Sequence, residues 1–177
     1  MPQISAVALG ALQTRLSDPA TGFNVNLAAV VGEYGVAGYA VDWSPTSANF
    51  LVGQVDPNAL EQSSTFTYPL TTIDTADVTD DGRVVSAVFA GTIALIVEVH
   101  TSFDTQDFPQ EMIPLGQAIE DAFFATVNNQ DELGVWMSAL VTYNGRWTLR
   151  KSAIQFAGGN WRRTLRFSTS GIGFITN

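Results

Sequence analysis

The chain contains no cysteine and a single histidine, His100. The first absence excludes a disulfide framework, a thiol nucleophile and any zinc or iron–sulfur site ligated by cysteine. The second excludes a multi-histidine metal centre within one chain. Charge is scarce as well: 14% of the residues are Asp, Glu, Lys or Arg, against 46% hydrophobic. That balance is too apolar for a disordered acidic segment. At 177 residues the chain can bury roughly two-thirds of its unfolded surface, so it needs no metal or disulfide to fold. The length predicts one domain, residues 1–177, with 36–82 as an extended loop or hairpin insertion.

Targeting signals are missing too. Met1-Pro2-Gln3-Ile4-Ser5 carries no basic region, and the apolar stretch after it is broken by Gln13 and Arg15, so no signal peptide is expected. The strongest apolar run, Val84 to Val99, is interrupted by Ser86, Gly91, Thr92 and Glu98. It is short for a membrane helix and rich in β-branched residues, which predicts a long strand. Synthesis in the cytoplasm and no membrane partner are the expectations.

What the chain does have is a lopsided distribution of charge. The net charge is −9, from 8 basic and 17 acidic residues. All the acids lie between Asp18 and Glu132, where Arg15 and Arg83 are the only cations within residues 1–132. Residues 133–177 hold Arg146, Arg150, Lys151, Arg162, Arg163 and Arg166 and no acid. The two portions therefore carry −15 and +6. A protein this acidic overall does not ordinarily coat nucleic acid.

Periodicity predicts a helix over 3–16, where Ile4, Val7, Ala8, Ala11, Leu12 and Leu16 form one stripe and Asp18-Pro19 ends it. A second helix over 24–34 would place Leu27, Val30 and Val31 together before Gly32, Gly35 and Gly38. Strands are expected at 48–55 and 64–70. Asp81-Gly82 reads as a hairpin turn. In the long strand, Phe89, Gly91, Ile93, Leu95, Val97 and Val99 share a dry face, and Thr92, Ala94, Ile96, Glu98 and His100 a mixed one. The best helix covers 111–127, with Pro114 in its first turn and Met112, Leu115, Ile119, Phe123 and Val127 inward. The last third reads as a meander: a strand over 135–143, an Asn144-Gly145 hairpin, a strand over 146–156, a turn at Gly158-Gly159-Asn160, a strand over 161–169 and a loose tail from Gly171. Together these predict an α+β fold, a mostly antiparallel sheet with two or three helices packed on one face.

Catalytic motifs are weak. His100, Ser102 and Asp104 are close in sequence, but no G-x-S-x-G elbow accompanies them, and residues two apart on a strand form no relay. His100 is expected at a surface or strand end. Asp74, Asp77, Asp80 and Asp81 lack the spacing of a calcium loop, which leaves a solvated acidic hairpin or an ionic contact. No Walker loop and no G-x-G-x-x-G occurs, so no cofactor is expected. A carboxylate-pair hydrolase stays open, since no one pair among the acids stands out. The basic segment leaves three readings open: contact with nucleic acid, docking of one subunit's cations on a neighbour's acids, or cations that merely solvate a sheet face.

The order of features, with Thr21-Gly22-Phe23-Asn24, Phe89-Ala90-Gly91-Thr92-Ile93-Ala94-Leu95-Ile96-Val97, Ile119-Glu120-Asp121-Ala122-Phe123 and Asn160-Trp161-Arg162-Arg163, resembles the tail terminator (tail completion) proteins of long-tailed bacteriophages, and more broadly the small head–tail neck proteins. The resemblance implies a non-enzymatic virion protein that forms a six-fold ring on the tail tube, stops its growth and offers a docking surface to the head connector. Its partners would be other copies of itself, the tail tube protein and the connector protein, with DNA only passing through the lumen. The alternatives are a head–tail stopper or adaptor. The extended 36–82 region departs from the pattern. The expected interface residues are Arg146, Arg150, Lys151, Arg162, Arg163 and Arg166 on one side, and Asp74, Asp77, Asp80 and Asp81 on the other.

Overall fold

The computed structural model describes residues 4–36, 50–53, 70–84, 88–103, 112–127, 141–143, 147–157 and 160–176. Among these it has three helices, α1 (Ile4–Leu16), α2 (Phe23–Val31) and α3 (Met112–Val127). The strands are β1 (Phe50–Val52), β2 (Leu70–Val84), β3 (Val88–Phe103), β4 (Val141–Tyr143), β5 (Thr148–Lys151), β6 (Gln155–Ala157) and β7 (Asn160–Thr176). They form one sheet in the order β1-β2-β3-β7, with β4, β5 and β6 all on the far side of β7. Only β1 and β2 run parallel; every other pairing is antiparallel. The fold is α+β, as the patterning predicts.

The predicted alternation on β3 holds. Ile93, Leu95, Val97 and Val99 are buried, while Ala94, Ile96 and Glu98 are half-buried. Leu165 and Phe167 stand opposite Val99 and Val97 on β7, and Ile73 opposite Val97 on β2. Directly paired residues share a face, so these seven side chains form the floor of the core. The helices roof it with Ala8, Leu12 and Leu16 from α1, Phe23, Leu27 and Val31 from α2, and Leu115, Ala118, Ile119, Ala122, Phe123 and Val127 from α3. Phe123 stacks on Phe167 with ring centroids 3.8 Å apart, and Trp147 meets Phe123 edge-on at 5.2 Å.

Helix ends follow local chemistry. Asp18 Oδ1 accepts the backbone N–H groups of Ala20 and Thr21, at 2.7 and 2.8 Å, to make an Asx turn after α1. Those N–H groups, Ala20 first, hold the Asp18 carboxyl below its usual pKa. Gly22 follows with its backbone packed against Asp18; a Cβ there would meet the Asp18 carbonyl oxygen at 2.3 Å. Past α2 the chain closes with Gly35 at φ 72° and a bond from the Val36 N–H to the Val31 carbonyl, a Schellman-type stop. Arg15 is buried, although in the sequence it reads as a break in the apolar stripe. Its Nε donates to the Thr126 carbonyl at 2.9 Å and its Nη1 to Thr21 Oγ1 at 2.8 Å, so it satisfies an orphan carbonyl in the last turn of α3.

Two turn expectations and the expected tail need correction. Asp81-Gly82 is no hairpin turn: β2 continues through it to Val84, and the register slips by one residue between Asp80 and Arg83, a β-bulge. Bulges and tight turns draw on the same residue types. Asn144-Gly145 does not join a hairpin either. β4 and β5 each pair with β7 rather than with each other, so they lie end to end along one edge; residues 144–146 themselves are outside the described set. The segment from Gly171 is no tail: 172–176 pair with β3 and 172–174 also with β4. Hydrogen bonding on both sides sustains a strand there despite two glycines. The turn expected at Gly158-Gly159 lies outside the described residues; Ala157 and Asn160 on either side of it pair.

Candidate assembly interface

The described helices cover one face of the sheet; the other, open only in that no described helix packs on it, is mostly polar, and Leu70, Thr72 and His100 on it are buried. Across that face the registers align Thr72, Glu98, Arg166 and Arg150 in one row, Leu70, His100 and Thr164 in the next, and Ser102, Arg162 and Gln155 beyond them. Arg150 and Arg166 are therefore directly opposed like charges, an arrangement that weakens a strand pair unless something compensates. Glu98 compensates in part, with Oε1 3.6 Å from Arg166 Nη1. Both arginines are exposed, and Arg150 makes no ion pair among the described residues.

The remaining expected cations divide between the faces. Arg163 lies on the helix side, its Nη1 3.4 Å from where a Cβ on Gly116 would stand. Lys151, also on that side, forms an ion pair with Glu120 of α3. Arg162 is half-buried on the open face. Arg146 lies outside the described residues. The structure thus brings Arg150, Lys151, Arg162, Arg163 and Arg166 to one end of the sheet, on its two faces.

Of the expected acids, Asp77, Asp80 and Asp81 lie toward the other end, and Asp74 lies mid-sheet. Asp74 stands opposite Ile96 of β3, and Asp80 opposite Gly91. Asp77 falls within the register slip between Thr75 and Val78, and Asp81 within the one between Asp80 and Arg83, so β2 carries two bulges in its acidic stretch. Arg162 pairs with Ser102. From position 91 to position 102 of β3 is roughly 35 Å at about 3.3 Å per residue. The screening length in physiological salt is about 8 Å. The arginines and the outer aspartates of one copy therefore cannot neutralise one another.

Of the two positions expected for His100, a surface or a strand end, it takes the second, three residues before the end of β3. It is buried, with 7% of its surface exposed. Its Nδ1 shares a 3.0 Å hydrogen bond with Thr164 Oγ1, and its Nε2 sits 3.7 Å from Glu98 Oε2. Burial lowers its pKa, and the Glu98 charge opposes that shift. Ser102 Oγ is buried without a hydrogen-bond partner, so the two side chains form no relay. Among the described residues no group of three or more His, Asp or Glu could hold a metal ion, and no helix is long and apolar enough to cross a membrane.

The sheet edges are blunted. β1 is three residues long. On the far side, five residues from Lys151 to Gln155 stand against four on β7, from Leu165 to Arg162, so another bulge separates β5 from β6. Short, bulged and cationic edges resist strand addition. A neighbour is therefore better received on the faces and ends of this sheet than along its edges.

No family model matches the chain, and no curated protein matches it. Among solved structures, the chain is similar to a chain from the virion of a native gene transfer agent (GTA) particle. The two are 16% identical, the match covers 98% of this chain and 99% of that one, and the TM-score is 0.43. A likeness of that degree carries no functional argument; the charge geometry does.

Proposed function

We propose that this chain is a structural assembly protein of a phage-like virion, a tail terminator whose copies meet head to tail in a closed ring. The observation that carries the proposal is the separation of charge along one sheet, with arginines at one end and the outer aspartates, Asp80 and Asp81, at the other, out of each other's reach. Every copy then owns both halves of an ionic contact. Such heterologous contacts close into rings when the rotation between copies permits. The sequence resemblance to tail terminators supplies the rest: a ring of six at the head–tail junction, capping the tail tube and receiving the head connector. An acidic lumen would let DNA pass without adhering.

The test is charge reversal. The purified chain should give ring-shaped particles in negative-stain images and a matching mass by light scattering. Arg162→Glu with Arg166→Glu should reduce that mass to the monomer's, and mixing with Asp80→Lys/Asp81→Lys chains should restore larger species. An unchanged mass in the reversed variant sinks the ionic contact. Adding purified tube protein separates a terminator, which caps tubes, from a stopper or adaptor, which leaves them growing.

A further inference from the structure

We infer that the corner between the first turn of α3 and the β6–β7 hairpin is the apolar anchor of the contact between copies, and that it receives the acidic end of the β2–β3 ribbon of a second copy. This rests on the head-to-tail reading above and specifies where the non-ionic part of that contact lies.

The two most exposed large apolar side chains among the described residues belong to these elements, ahead of Val25 on α2 and Val52 on β1. Ile113 is 60% exposed and Phe156 is 55% exposed. The Phe156 ring packs at 5.1 Å against Trp161, which is itself half-buried. The elements bring Ile113 toward the same end of the sheet. Gly116 lies against Arg163 and Phe123 on Phe167, so α3 runs along β7 in the same sense. Glu120 reaches Lys151 on β5. Ile113 is on the same helical stripe as Glu120, two turns earlier, and β6 continues the line of β5 in that direction. The first turn of α3 is therefore directed toward the end of the sheet that carries Phe156.

The surroundings define the occupant. Lys151 on β5 and Arg163 on β7 border the corner on the helix side, and Arg150 and Arg162 stand on the opposite face of the same edge. An aromatic and aliphatic centre with an arginine rim is the composition of a protein–protein hot spot. The matching surface must be apolar at its middle and acidic around it. The β2 stretch Ala76-Asp77-Val78-Thr79-Asp80-Asp81-Gly82-Arg83-Val84 combines those two properties in this chain. It cannot come from the same copy. Phe156 and Phe103 both pair with Trp161, and Asp80 pairs with Gly91 twelve positions away along β3, roughly 40 Å off. A second copy has to supply it. Nucleic acid, the other partner for arginines beside aromatics, meets a chain of net charge −9.

Phe156→Ala and Ile113→Ala, each checked for an unchanged melting temperature, test this by sedimentation or light scattering across a dilution series. Each should raise the concentration needed for half-assembly by roughly tenfold or more, while Phe156→Leu should retain most of the assembly. Both residues are largely exposed, and alanine suits a helix, so folding should survive. If the Arg162→Glu/Arg166→Glu chain loses assembly while both alanine variants keep it, the anchor is refuted and the head-to-tail contact stands. If no variant alters assembly, both fall. A single-stranded oligonucleotide that binds wild type but not Phe156→Ala would also overturn the assignment.

Discussion

Glu98 and Arg166 face each other across β3 and β7, their nearest charged atoms 3.6 Å apart. The second carboxylate oxygen of Glu98 is 3.7 Å from Nε2 of buried His100. Burial, opposed by Glu98, leaves the folded pKa of His100 below its ordinary 6.5. The unfolded chain therefore binds this proton first as the pH falls. Stability should be full above about pH 6.5, decline as the pH drops from there to the folded pKa, and then level off. Asp18, whose lowered pKa acts below 3.8, stays out of that window. Urea midpoints between pH 8 and pH 5 should slope downward in wild type and flatten in His100→Gln. Equal slopes in the two proteins would contradict the account.

Two glycines should respond oppositely to alanine. Gly10, inside α1, has nothing within 4 Å of an added Cβ. Gly10→Ala should stabilise by about 0.5–1 kcal/mol through helix propensity. Gly22→Ala drives a Cβ to 2.3 Å from the Asp18 carbonyl and must break the Asx turn. It should destabilise by roughly 1–3 kcal/mol. Thermal melts of the two variants against wild type measure both signs. A Gly22→Ala chain as stable as wild type would mean that the close approach has no consequence.

The core was readable in the sequence because two periods were clean. Met112, Leu115, Ile119, Phe123 and Val127 repeat at helical spacing, and Ile93, Leu95, Val97 and Val99 alternate; each of these residues is buried. Misreadings arose where one residue type serves two purposes. Asp81-Gly82 suits a turn or a bulge, and Gly171 and Gly173 suit a tail until β3 and β4 pair on both sides of them. The burial of Arg15 and His100 is not legible locally, because their partners, Thr126 and Thr164, are far away in sequence. For the interface, the split in charge was visible from residue order alone. That Lys151 and Arg163 face the helices, while Arg150, Arg162 and Arg166 face away, depends on strand register, which no local pattern reveals.

Two cations test how much burial decides. Arg15 is buried and donates to Thr126 and Thr21, so Arg15→Met leaves polar groups unpaired between the three helices. A loss of about 2–4 kcal/mol is expected. Lys151 pairs with Glu120 at a partly exposed site, where such pairs contribute about 0–1 kcal/mol. Lys151→Met should hardly shift the urea midpoint. Comparable losses in the two variants would mean that the exposed pair has been undervalued.

Salt should weaken assembly without abolishing it. Between 0.15 and 1 M the screening length falls from about 8 to about 3 Å, shorter than most approaches between charged surfaces. The contact of Arg162 and Arg166 with a neighbour's aspartates should fade over that range, while apolar burial at Phe156 persists. In wild type the half-assembly concentration should rise by roughly tenfold, a change on the order of 1.4 kcal/mol. An Arg162→Gln/Arg166→Gln chain lacks the screened interaction. It should begin with weaker assembly at 0.15 M and change little as salt is added. Light scattering on both proteins across the same salt series gives the comparison. A flat wild-type profile, or an equal salt response in the neutralised chain, would remove charge attraction from the contact and leave the separation of acids and arginines along the sheet without a role in assembly.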